Sequence, residues 1–109
     1  MANTFKLKTK ANVGVTTLGI YTAPASTTTV VIGITMANTS GSGVNVGVGI
    51  TRAGTTEDVK LLKNAPIPQG SSLEFMAGNK IVLEETDTVT VDSDTNNSID
   101  AALTIMEIT

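Results

Sequence analysis

Cysteine, histidine and tryptophan are absent from the chain, and its aromatic residues number one tyrosine and two phenylalanines. Each absence closes a class of chemistry. Without cysteine there is no disulfide, no thiolate nucleophile and no cysteine-based zinc site, and the redox state of the compartment leaves no trace in the sequence. Without histidine the usual acid–base group near neutral pH and the commonest transition-metal ligand are missing. A serine or threonine nucleophile would lack its ordinary base, and Lys63 and Lys80 stand in no motif that replaces one. Glycine-rich phosphate loops, dinucleotide fingerprints and the G-x-S-x-G elbow are not found either. These absences argue against an enzyme, and no cofactor or metal is expected.

Charge is scarce as well. Seven basic residues against ten acidic ones leave a net charge of -3, the wrong sign for a protein that must neutralise many phosphates, so nucleic acid is not an expected partner. No apolar run approaches the ~18 residues needed to cross a membrane, and "MANTFKLKTK" lacks the basic start and apolar stretch of a secretory signal. Synthesis in the cytoplasm with no membrane partner is expected. Three aromatic residues are also thin support for a sugar-binding platform. Tyr21, Phe5 and Phe75 read instead as core or interface anchors.

What the chain does have is threonine, valine, isoleucine and glycine in alternating runs, the composition of short β-strands. The expected strands are residues 4–11, then "TTLGIYTA" ended by Pro24, "TTVVIGITMA" closed by the turn "NTSGSG", and "VNVGVGIT". In the third, Val30, Ile32, Ile34 and Met36 fall on one face and Val31, Gly33, Thr35 and Ala37 on the other. In the fourth, Val44, Val46, Val48 and Ile50 point inward. Residues 57–65 suit a strand through Val59 and Leu61, although Thr55 followed by acids would also cap a short helix. "PIPQGSS" reads as an extended loop or edge, and "SLEFM", "NKIVLE", "DTVTVD" and "AALTIMEI" complete the series. Eight or nine short strands with frequent turns predict an all-β, antiparallel sandwich, jelly-roll or Ig-like, spanning 1–109 as a single domain.

Two features go beyond fold. From Ala11 to Thr51 no side chain is charged, although strand faces in water ordinarily carry lysine and glutamate, which also discourage edge pairing. Outward positions there hold Asn45, Gly47 and Gly49 in one strand and Thr29, Gly33, Thr35 and Ala37 in another. Glycine in a strand lets another backbone come near, so this face is expected to be covered, either by the second sheet or by a separate subunit. The other feature is "TFKLKTKA", where Lys6, Lys8 and Lys10 alternate with Phe5, Leu7, Thr9 and Ala11. Such a row guards an edge strand or docks onto an acidic partner. Phe5, Lys6, Lys8, Lys10, Asn45, Gly47 and Gly49 are the candidate interface residues.

Acidic residues gather in the last third: Glu84, Glu85, Asp87, Asp92, Asp94 and Asp100. "DSDTNN" has acids at the alternate positions of a calcium loop, but Asn97 and Leu103 stand where the EF-hand needs glycine and glutamate, so a tight turn is expected. Glu84 and Glu85 are adjacent and point to opposite faces of a strand, which disfavours paired acid–base work.

The phrases "MANTFK", "IYTAP" followed by "TTTVVIGITMAN", "KNAPIPQGSSLEF" and "KIVLEETDTVTV" together resemble a family of small virion structural proteins of tailed bacteriophages, especially phages of marine and aquatic bacteria. Members often carry glycine before the aspartate of "LEETDTV", where this chain has Thr86. The resemblance implies a β-sandwich present in many copies on a particle, homo-oligomeric, with capsid, neck or tail proteins as partners and no active site. A capsid decoration or cement protein is the leading expectation. A neck or tail accessory protein and a glycan- or surface-binding module are the alternatives.

Overall fold

A computed structural model describes residues 3–52, 57–75 and 80–109. They form β1 (Asn3–Val13), β2 (Leu18–Thr22), β3 (Thr28–Asn38), β4 (Val44–Arg52), β5 (Glu57–Ile67), β6 (Ser72–Phe75), β7 (Ile81–Leu83), β8 (Thr88–Ser93) and β9 (Ile99–Ile108). The segment read as strand or helix is the strand β5. Met1 and Ala2 of the opening phrase, Thr55 of the alternative cap, and Met76 and Asn79 of two expected strands lie outside the described residues.

The strands make two antiparallel sheets. The first runs β1-β9-β3, with β6 and β7 both pairing the far side of β3, and the second runs β2-β8-β4-β5. The pairings are nested: β1 with β9, β2 with β8, β3 with β6 and β7, and β4 with β5. A long hairpin rolled onto itself gives this order, which is that of a jelly roll. The chain is a jelly roll, not Ig-like.

The core lies between the sheets and is aliphatic. β9 supplies Ile99, Ala101, Leu103 and Ile105, and β4 supplies Val44, Val46, Val48 and Ile50, all buried. In both strands the alternation in the sequence is the alternation of the fold. β3 differs. Its register with β9 shifts between Val31 and Gly33, and a residue inserted there moves every later side chain to the other face. The inner residues are therefore Thr29, Val31, Ile34 and Met36, none more than 2% exposed. Val30 pairs Met106 on the outer face. The expectation that placed Val30 and Ile32 inside and Thr29 outside fails because simple alternation passes straight through the bulge.

In β1 the lysines, not the apolar residues, share the face of the core residues of β9. Residues directly opposite one another in a sheet share a face, and Lys6, Lys8 and Lys10 lie opposite Ile105, Leu103 and Ala101, all of them core residues. The lysines belong to the inner side of the first sheet. Phe5 and Leu7 point away from the core and are 69% and 64% exposed.

The turn before β8 is fastened by Asp87. Its Oδ2 accepts the Glu84 N–H at 3.0 Å, and its main chain exchanges bonds with Ala23 and Glu84. Thr86 within this turn has φ of 68°, a left-handed conformation that costs a β-branched residue energy and suits glycine.

Candidate assembly surface

The outer face of the first sheet is apolar and open. Phe5 lies opposite Met106, Met106 opposite Val30, and Val30 opposite Val82, so one row of apolar side chains crosses four strands. Leu7 and Ile108 flank that row on either side. Val82 is 59% exposed, while Val30, Met106 and Ile108 are half-buried. Farther along the strands the side chains become small. Thr9, Lys10, Ala11, Thr35, Ala37, Asp100, Ala101 and Ala102 line a shallow depression of about 380 Å³, in which Lys10 and Asp100 are the charged residues. Among the described residues, Asp100 and Glu74 are the charged side chains that the register places on this face. Asp100 is already engaged, since its Oδ1 accepts the Asn12 N–H at 3.0 Å. Contiguous exposed apolar surface of this kind marks a binding face.

The lysine row occupies the inner flank of β1, which the five-residue β2 covers only in part. Lys6 Nζ pairs with Glu107 Oε1 at 2.9 Å. Glu107 is buried, and its Oε2 accepts the Tyr21 hydroxyl at 2.6 Å; Tyr21 Oη in turn lies 2.8 Å from Thr29 Oγ1. Burial, reinforced by the hydrogen bond to Glu107, pushes the Tyr21 hydroxyl up to about 12. The same bond, with the Lys6 ammonium beside it, holds the Glu107 carboxyl below its ordinary range. Tyr21 is thus a core residue whose ring offers no platform to a sugar. Lys8 and Lys10 form no ion pair among the described residues, and they carry positive charge along an edge that pairs only with β9.

Gly47 and Gly49 are buried, whereas Asn45 is exposed. A Cβ on Gly47 would come within 2.5 Å of Asp92 Oδ1, and one on Gly49 within 2.9 Å of the Val59 carbonyl oxygen and 3.1 Å of Thr90 Oγ1. The β4–β5 register shifts twice around Val48, and the irregular β5 backbone closes over the glycines. Their neighbours are the adjacent strands β5 and β8 of the same sheet. Asn45 donates its main-chain N–H to Asp94 Oδ1 at 3.1 Å.

The acidic residues serve the turns. Glu84 pairs with Arg52, Asp87 Oδ2 lies 3.2 Å from Arg52 Nε, and Glu85 accepts the Ser26 N–H at 2.7 Å. "DSDTNN" is the turn between β8 and β9, with Asn97 at φ of 52°. No group of three His, Cys, Asp or Glu residues is arranged to hold a metal among the described residues.

No family model and no curated protein matches the sequence. Solved structures do match in fold. One is a chain from the work describing Bacillus endospore appendages as a novel family of disulfide-linked pili, with TM-score 0.57 and 17% identity, covering 99% of this chain and 87% of that one. Another is a chain of infectious bursal disease virus, Gx strain, with TM-score 0.57 and 13% identity, where the match covers 98% of this chain and 32% of the viral one. A pentameric capsid protein isolated from metagenomic phage sequences aligns with TM-score 0.49 and 15% identity over 92% of this chain and 59% of its own. The first two likenesses are at the level of fold.

Proposed function

We propose that the chain is a structural protein of a virion, and within that class a decoration protein of a tailed bacteriophage that binds the head shell and strengthens it. The observation that carries this reading is the open apolar outer face of the first sheet, a surface that assembly covers. The phage-like phrases of the sequence support it, as does the shared fold with a viral chain and a chain from pili. No chemistry is needed. A ligand that binds only the assembled shell stabilises it by RT ln(1 + [L]/Kd), about 2.7 kcal/mol per site at a hundred times Kd.

In this reading Lys6, Lys8 and Lys10, on the inner flank of β1, steer the subunit onto an acidic surface of the shell, and Asn45 is the reachable member of the second-sheet trio. Lys8→Glu/Lys10→Glu tests the steering while leaving the Lys6–Glu107 pair intact. The expected result is weaker loading onto heads and a shallower salt dependence. Unchanged loading and salt slope would leave the lysines as edge guards only. Copy number separates head from neck or tail: hundreds per particle are expected, and a dozen or fewer would move the protein to the neck or tail.

A further inference from the structure

We propose that the outer face of the first sheet is closed by the same face of a second copy of this chain, across a two-fold axis that runs perpendicular to the strands. This names the partner of the face on which the functional reading rests. The bulky row Phe5–Met106–Val30–Val82 and the small-residue depression at Thr9, Ala102 and Thr35 lie on the same face, four residues apart along β1 and β9 and five along β3, where the bulge adds one. An axis across the strands near Leu7 and Thr104 turns one end of the face onto the other. The bulky row of each copy then sits over the depression of its partner, and each contact is made twice, as an isologous interface requires.

Charge selects the same arrangement. The acids of this face, Asp100 and Glu74, lie toward one end. An axis parallel to the strands would stack acidic end on acidic end, whereas the axis across them sets each acidic end against the partner's other end, where the paired positions Asn3, Ile108 and Thr28 carry no charged side chain. Size agrees. A sheet four strands wide and eleven residues long, at ~4.8 Å between strands and ~3.3 Å per residue, offers roughly 700 Å² of face, against about 800 Å² per partner in a standard stable interface. Pairing through the β1 edge is the poorer alternative for two copies, because it would bring two rows of lysines onto one surface.

Sedimentation equilibrium of the purified chain tests the proposal. A dimer is expected at micromolar concentration. Ala102→Arg, which fills the depression without touching the core, should weaken the dimer about a hundredfold, and Phe5→Lys should do the same. A chain with no native cysteine also allows a site-specific probe: Thr104→Cys should cross-link through a short bis-maleimide, and Asp58→Cys on the second sheet should not. A chain that stays monomeric at roughly 100 µM, or a dimer unmoved by Ala102→Arg and not cross-linked through Thr104→Cys, overturns the proposal. Because no particle is present, the outcome is separable from the virion reading. A monomer that still loads onto heads would reject the dimer alone, and a dimer that never loads would reject decoration alone.

Discussion

The two sheets of this jelly roll have the same architecture and opposite outer surfaces. On the second sheet the outward residues hold one another: Thr17 Oγ1 donates to Asp92 Oδ2 at 2.9 Å, Thr22 and Thr88 hydroxyls lie 2.9 Å apart, and Lys60 Nζ is 3.8 Å from Asp92. Where side chains are missing, at Gly47 and Gly49, the backbone of β5 and the side chains of β8 fill the place. The first sheet has no such closure. Its outward residues are mostly apolar or small, and Phe5, Leu7 and Val82 are exposed. The uncharged stretch from Ala11 to Thr51 therefore has two meanings in one molecule. In β4 it allows packing within the chain, and in β3 it leaves an open face.

Glycine substitutions give the largest test of this contrast. Gly49→Ala pushes a methyl group against the Val59 carbonyl and is expected to destabilise the fold by about 1–3 kcal/mol. Gly33→Ala meets only the Phe75 carbonyl, 3.9 Å away, and should be neutral or stabilising by up to about 1 kcal/mol. Urea unfolding of both variants measures the difference, and equal losses would erase the distinction between a closed and an open face.

The buried polar cluster beneath β1 is next in size. Tyr21→Phe removes the hydroxyl that bonds Glu107 and should cost about 1–2 kcal/mol at neutral pH. Its pH signature is specific. The Tyr21 hydroxyl is raised from 10.0 to about 12 in the fold, so the unfolded chain loses this proton first as pH rises. The stability it contributes is complete below pH 10 and disappears as pH climbs through about 12. Glu107 works in the other direction: its lowered carboxyl adds stability above the ordinary glutamate range that fades as pH falls through its folded value. Thermal unfolding across pH 9–12 should show an alkaline decline in the parent protein that Tyr21→Phe largely lacks.

Smaller effects are expected at the surface. Thr86→Gly relieves a left-handed β-branched residue, offset in part by the added freedom of the unfolded chain, for a net gain of about 0.5–1 kcal/mol in the same unfolding assay. Leu7→Thr on the open face should leave the stability of the isolated chain within about 0.5 kcal/mol while reducing self-association. A core substitution of similar size would not behave this way.

The sequence was legible wherever one rule governed a strand. β4 alternates strictly and its buried face follows directly from the residues, whereas β9 carries Met106 and Ile108 on its outer face and Glu107 on its inner one. The turns announced by "NTSGSG" and "DSDTNN" also fall where their Asn, Asp, Ser and Gly residues predict. β3 was misread because a bulge leaves no mark in a run of valine, isoleucine and glycine. The facing of β1 is hidden for a different reason. At a sheet margin both faces are open to water, so hydrophobicity no longer tells inside from outside, and only its pairing with β9 shows that Phe5 and Leu7 point outward. The open outer face is half visible as an absence of charge, while Met106, Val30 and Val82 each read as ordinary core residues of their own strands. At Gly47 and Gly49 the approaching groups are the β5 backbone and the β8 side chains of the same sheet.

The central claim is that the outer face of the first sheet is covered by protein when this molecule is at work. Single cysteines at Leu7, on that face, and at Asp58, on the second sheet, can be labelled with a maleimide both in dilute solution and in the native assembly. Protection of Leu7→Cys by about tenfold or more on assembly, with Asp58→Cys labelled at the same rate in both states, is the predicted result. Equal labelling of Leu7→Cys in the two states would contradict the account.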